Sequence, residues 1–127
     1  MGINLYESAE NYLETILILK NRLGSVRSVD IANELDFARP SVSVAMKKLR
    51  ESGHIQVDAE GIIELTESGL AIAESVYERH THFVNWLIAL GVNRETAVQD
   101  ACRIEHVISQ ESFEKIRAHV TEMKEHF

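Results

Sequence analysis

The stretch Phe37-Ala38-Arg39-Pro40-Ser41-Val42-Ser43-Val44-Ala45-Met46-Lys47-Lys48-Leu49-Arg50-Glu51-Ser52-Gly53-His54-Ile55-Gln56-Val57 decides the fold, because its hydrophobic period changes partway along. Val42, Ala45, Met46 and Leu49 recur at the spacing of one helical face, and Ser41, Ser43, Lys47, Lys48 and Arg50 fall on the other. Phe37 to Pro40 reads as a turn, with Pro40 suited to the first helical position, where its missing N–H costs nothing. Beyond Glu51-Ser52-Gly53 the pattern alternates through His54 to Val57. Asp58-Ala59-Glu60-Gly61 supplies turn residues and Ile62-Ile63-Glu64-Leu65 resumes as strand, so the segment predicts a β-hairpin.

Upstream, Tyr12, Leu13, Ile16, Leu17 and Leu19 predict an amphipathic helix over about 6–21, which Gly24 ends. After the connector Ser25-Val26-Arg27, Ser28 or Val29 opens a second helix carrying Ile31, Ala32 and Leu35. A helix pair joined by a short turn and followed directly by a hairpin is the order of a winged helix-turn-helix, whose second helix enters the DNA major groove. The expected class is therefore mainly α with a small β-hairpin wing.

Downstream, Thr66 or Ser68 caps a helix that carries Leu70, Ile72, Ala73 and Val76 on to Phe83, Trp86, Leu87 and Leu90, and Gly91 stops it. Asn93 caps the next helix. After Ser109-Gln110 a last helix aligns Phe113, Ile116, Val120, Met123 and Phe127. Two apolar stripes in so short a segment are too much to bury internally, which predicts a helical dimerisation domain. The expected division is 1–72 for the winged helix and 73–127 for the dimerisation domain. A homodimer would place two recognition helices to read a palindromic duplex.

At 127 residues and 45% hydrophobic, the chain has the size for one modest core or a small domain with an extension. It shows neither a bilayer-spanning apolar run nor the layout of a signal peptide, so the expected location is cytoplasmic, with no membrane partner. The net charge of −7 argues against a nucleic-acid partner, but the local charge runs the other way. Arg39, Lys47, Lys48 and Arg50 occur in one segment without a single acid. Arg27, Arg39, Ser41, Ser43, Lys47 and Lys48 are the candidates for phosphate and base contact, and Pro40 and Val44 for apolar contact with thymine methyls.

The single cysteine excludes an internal disulfide and leaves Cys102 as a buried small hydrophobe, a reactive thiol or a ligand. Cys102, Glu105 and His106 stand at i, i+3 and i+4 on a helix, where a thiolate, a carboxylate and an imidazole can converge on one ion. Further donors are available from Glu10, Asn11 and Glu14 in the first helix and from His80 and His82 after the hairpin. Mixed O, N and S donors suit Fe2+, Mn2+, Co2+, Ni2+ or Zn2+ rather than Mg2+ or Ca2+.

The segments Asn11-Tyr12-Leu13-Glu14-Thr15-Ile16, Pro40-Ser41-Val42-Ser43, Leu65-Thr66-Glu67-Ser68-Gly69, Arg79-His80 and Ala101-Cys102-Arg103-Ile104-Glu105-His106-Val107 together resemble the diphtheria toxin repressor family of metal-activated bacterial transcription regulators. The resemblance covers nearly the whole chain, which looks like the short form, as in the manganese transport regulators, without the C-terminal β-barrel of longer members. It implies a winged helix followed by a helical dimerisation domain, repression as the sign of regulation, and Glu14, His80, Glu105 and His106 as ligands. Two positions depart from the manganese pattern: Asn11 replaces an aspartate, and Cys102 replaces a carboxylate and matches the iron-responsive branch. Val84 and Val98 stand near where iron-type members carry ancillary ligands, so that second site is expected to be absent or altered. The expected effector is Mn2+ or Fe2+, with Co2+, Ni2+ or Zn2+ able to substitute in vitro. Such an ion would tie Asn11 and Glu14 of the DNA-binding half to His80, Cys102, Glu105 and His106, aim the two recognition helices, and offset part of the acidic charge.

Two other readings differ in class. One is a winged-helix regulator that answers to a small organic ligand or to thiol oxidation, with Cys102 as sensor and Phe83, Trp86 and Leu90 around a pocket. The other is an enzyme using Cys102 as thiolate and His106 as base. The chain has no Gly-rich oxyanion loop to support the enzyme, and none is expected.

Overall fold

The computed structural model describes residues 5–125 and the side-chain surroundings of residues 9–120. The element order is α1 (Leu5–Leu23), α2 (Ser28–Leu35), α3 (Arg39–Glu51), β1 (Ile55–Val57), β2 (Ile63–Leu65), α4 (Glu67–Ala89), α5 (Arg94–Val107) and α6 (Gln110–Glu125). Two compact units divide within α4, between Ser75 and Val76. No helix among the described residues is long and apolar enough to cross a membrane.

In the first unit, Leu13, Ile16 and Leu19 of α1 bury against Ile31 and Ala32 of α2 and Val42, Met46 and Leu49 of α3. Each large aliphatic side chain so buried contributes about 1.5–3 kcal/mol. The Asp30 carboxylate accepts the Arg27 backbone N–H at 2.9 Å and so satisfies a donor at the start of α2. Asp36 ends α2 in the left-handed conformation, at φ 56°, which a short polar side chain tolerates. Ala38 is the N-cap of α3, so Pro40 sits at the second helical position, one residue later than the spacing suggested. The reason it is tolerated is the same, since no backbone N–H of the first turn has an intrahelical partner.

The wing pairs Ile55 with Leu65 and Val57 with Ile63 in antiparallel register. Its turn is held by Asp58, whose Oδ1 accepts the N–H groups of Glu60 and Ile62, both at 2.9 Å. The segment read as a plain connector also joins the sheet. Val26, fully buried, bridges to Ile63, whose N–H donates to the Val26 carbonyl at 2.8 Å. Thr66 caps α4 by accepting the Gly69 N–H at 3.3 Å, and its hydroxyl donates to the Gly53 carbonyl at 2.7 Å. Those bonds draw Gly69 so close to the strand entrance that a Cβ there would lie 1.9 Å from the backbone oxygen of His54.

In the second unit, Phe83 and Val84 of α4, Ala101 of α5 and Phe113 of α6 form the core, with Trp86, Ile104, Ile108 and Ile116 packed against it. Asn93 caps α5 by accepting the Glu95 N–H at 2.9 Å, and Ser109 Oγ accepts the Ser112 N–H at the start of α6. Phe113 and Val120 of the expected α6 stripe are buried; Phe127 and the side chain of Met123 lie outside the described residues. Val84 belongs to the core and Val98 is exposed, so neither position brings a donor atom.

Candidate metal centre and nucleic-acid face

In the second unit, the spacing along α5 brings donor atoms of Cys102, Glu105 and His106 within 4.8 Å of one another. Glu105 has no solvent exposure, Cys102 is exposed, and Ala101 fills the core beside them. His106 Nε2 stands 3.3 Å from Glu105 Oε1, and from α4 His80 Nδ1 stands 2.9 Å from Glu105 Oε2. The carboxylate therefore lies between two imidazoles. His82, two residues beyond His80, projects elsewhere and meets the Phe113 and Phe83 rings edge-on.

An isolated buried carboxylate is costly. Burial alone pushes the Glu105 pKa up, but hydrogen bonds from His106 and His80, and the charge of both imidazoles, outweigh it and hold the carboxyl below its ordinary value. The negative charge is thus maintained in a dry pocket beside two nitrogen donors and a thiol. This donor set fits a first-row divalent transition ion and lacks the oxygen cage that Ca2+ requires.

Sequence reasoning missed Arg79. Its Nη1 donates to the backbone carbonyls of Glu105, at 3.1 Å, and Ile108, at 3.4 Å, and its Nη2 donates to Gln110 Oε1. The guanidinium also faces the Phe113 ring, 5.7 Å from its centroid. The Arg79-His80 dipeptide marks the position in the sequence, but nothing local indicates these partners.

In the first unit, α1 carries Glu14, buried, and Asn11, half-buried, three residues apart on one face; Glu10 is buried one turn before Glu14. Arg39, Pro40, Ser41, Ser43, Val44, Lys47 and Lys48 are all exposed on α3, as is Arg27 at the start of α2. Val44 is 55% exposed and stands outside the buried core of this unit. The positive stretch stops abruptly, for no Lys or Arg occurs from Glu51 to Glu78. The wing presents Asp58, Glu60 and Glu64 to solvent instead.

Residues 4–63 match the family profile described as "Iron dependent repressor, N-terminal DNA binding domain", and residues 66–126 match "Iron dependent repressor, metal binding and dimerisation domain". The transcriptional regulator MntR of Salmonella typhimurium is 36% identical over 112 residues, which cover 88% of this chain and 71% of that protein. The iron-dependent repressor IdeR of Mycobacterium tuberculosis is 32% identical over 108 residues, 84% of this chain and 47% of that one. The solved structure of the manganese regulator SloR superimposes with a TM-score of 0.79 at 25% identity, over 95% of this chain and 55% of that chain. With its two profiles in order and this relative at 36% identity, the chain belongs to the diphtheria toxin repressor family of metal-dependent transcription regulators.

Proposed function

We propose that this chain is a metal-activated, DNA-binding transcriptional repressor that controls metal-ion homeostasis, with Mn2+ or Fe2+ as effector. It acts in the cytoplasm as a homodimer on palindromic duplex DNA, as a regulator and not an enzyme. The observation that carries this reading is the fully buried Glu105 carboxyl group between His80 and His106. The relatives MntR, a transcriptional regulator, and IdeR, an iron-dependent repressor, support it.

The proposed ligands are His80, Cys102, Glu105 and His106, with Asn11 and Glu14 contributed by α1. A bound dication supplies positive charge and directed bonds to donors carried on separate helices. Glu105 holds the negative charge that recruits it, His80 and His106 offer neutral nitrogens once deprotonated, and exposed Cys102 gives a soft donor at the rim. Fixing donors on α1 and α5 together restricts the motion of α3, a coupling of the order of 1–3 kcal/mol between effector and duplex. On α3, Arg39, Lys47 and Lys48, with Arg27 nearby in sequence, meet phosphates; Pro40, Ser41, Ser43 and Val44 meet base edges and methyl groups. The acids of the wing leave phosphate contact to α3.

Selection of bound sequences from random duplexes, run with Mn2+ or Fe2+ and again with a chelator, tests the proposal. Enrichment of an inverted repeat only with metal, lost in Glu105→Ala, is the expected result. Equal enrichment with and without metal would overturn it.

A further inference from the structure

The residues Arg79 and His80, adjacent on α4, grip the two ends of one residue on α5. His80 takes the Glu105 side chain, at 2.9 Å, and Arg79 takes the Glu105 backbone carbonyl, at 3.1 Å. Glu105 sits in the last turn of α5, which ends at Val107, so its carbonyl is among those that a helix C-terminus leaves without an intrahelical donor. A guanidinium there satisfies the orphaned acceptors and complements the negative end of the helix dipole. It extends to the carbonyl of Ile108 and to Gln110, so the same side chain spans the turn between α5 and α6. Gln110 is itself held, its Nε2 donating to Glu114 at 3.2 Å.

We propose that Arg79 is the positioning residue of the metal centre. Its guanidinium bonds backbone carbonyls and Gln110; it sets the height and rotation of the last turn of α5 relative to α4, and thereby the separation between His80 and the Glu105/His106 pair. Only an arginine can do this, because a planar fork with several fixed N–H donors reaches two carbonyls and an amide at once, whereas a lysine ammonium is a point charge on a flexible stem. Phe113 supports the fork from one side. Arg117 also faces that ring, 5.4 Å from its centroid, and pairs with Glu78. Because both guanidinium groups face Phe113, Arg117→Met removes a cation from the same aromatic ring while leaving Arg79 in place.

This inference rests on the proposed metal site, and the experiment separates the two. Binding of Co2+ and Mn2+ is measured for the wild type, Arg79→Lys, Arg79→Met, Arg117→Met and Glu105→Ala, with the Co2+ visible spectrum and circular dichroism recorded for each. Arg79→Met is expected to keep its helical content, to lose about 10- to 100-fold in affinity, the usual cost of removing an outer support, and to show an altered Co2+ spectrum. Arg79→Lys should recover only part of that loss, and Arg117→Met should match the wild type. Wild-type affinity and spectrum in Arg79→Met, or an equal loss in Arg117→Met, would overturn the positioning role. Absence of binding in the wild type would overturn the metal site itself. Should Arg79→Met fail to fold, Gln110→Ala carries the test, with a smaller loss of affinity expected and none overturning the proposal.

Discussion

His80 and Glu105 are joined across two helices, with Nδ1 of the imidazole 2.9 Å from Oε2 of a carboxylate that has no exposure to solvent. Burial raises the Glu105 pKa, but the bonds from His106 and His80 outweigh it, and the folded value lies below the unfolded one. A carboxylate shifted in this direction stabilises the fold fully above its ordinary pKa, and that contribution fades as the pH falls through the folded value. The metal-free protein should therefore lose stability on acidification through and below the ordinary carboxylate range. Urea unfolding of the metal-free protein across that range measures this, and Glu105→Gln should flatten the profile. Identical pH profiles for variant and wild type would show that Glu105 is not the titrating group.

Gly69 offers a sharper structural test, because its space is taken by backbone. A methyl group there would lie 1.9 Å from the His54 carbonyl oxygen, and that oxygen already accepts the Thr66 N–H at 3.1 Å. Helix propensity alone favours alanine over glycine by nearly 1 kcal/mol. The clash should reverse that sign, and Gly69→Ala is expected to destabilise the protein by about 1–3 kcal/mol, the usual scale of overpacking. Chemical denaturation gives the value. A stabilised variant would mean that the wing and α4 separate more freely than these contacts indicate.

These two sites differ in how far they could be read from the chain. Cys102, Glu105 and His106 lie within one helical turn, so periodicity alone brings them together. His80 and Glu105 are 25 residues apart, and Arg79 reaches partners 26, 29 and 31 residues away, so their meeting depends on tertiary packing. Spacing also could not choose between His80 and His82, which differ only in the helical face they occupy. The recognition helix and the hairpin were legible because their hydrophobic periods are clean. The Val26 bridge was not, since a single paired residue leaves no alternation to detect.

The charge of α3 leads to a prediction about salt. Lys47 and Lys48 are exposed on a helix with no acid between Arg39 and Arg50, and the wing offers no cation to replace them. Each lysine that meets a phosphate releases counterions, worth a slope of about −0.9 in log K against log salt. Lys47→Ala and Lys48→Ala should weaken DNA binding alike for all sequences, and each lysine that contacts phosphate should reduce the magnitude of the slope by about 1. Val44→Ala should leave the slope unchanged and reduce discrimination at a thymine-bearing position. Fluorescence anisotropy over a salt series resolves the two behaviours, and an unchanged slope in both lysine variants would remove α3 as the phosphate-binding surface.

In the proposed metal centre, Cys102 is the donor expected to tune which metal is preferred. Its thiol is exposed beside a buried carboxylate and a largely buried imidazole, so it can be exchanged without opening the core. A thiolate favours Fe2+ and the later divalent ions, whereas a carboxylate suits the harder Mn2+. Cys102→Glu should shift the order of activation toward Mn2+ when DNA binding is measured with free Mn2+, Fe2+, Co2+ and Zn2+ each buffered. Cys102→Ser should weaken the later metals without the compensating gain for Mn2+. The Co2+ complex gives an independent check, because a thiolate ligand produces a sulfur-to-metal charge-transfer band in the near ultraviolet that both variants would abolish. If the wild type lacks that band and Cys102→Glu leaves the metal order unaltered, Cys102 lies outside the coordination sphere, and the selectivity must be set by the carboxylates and imidazoles alone.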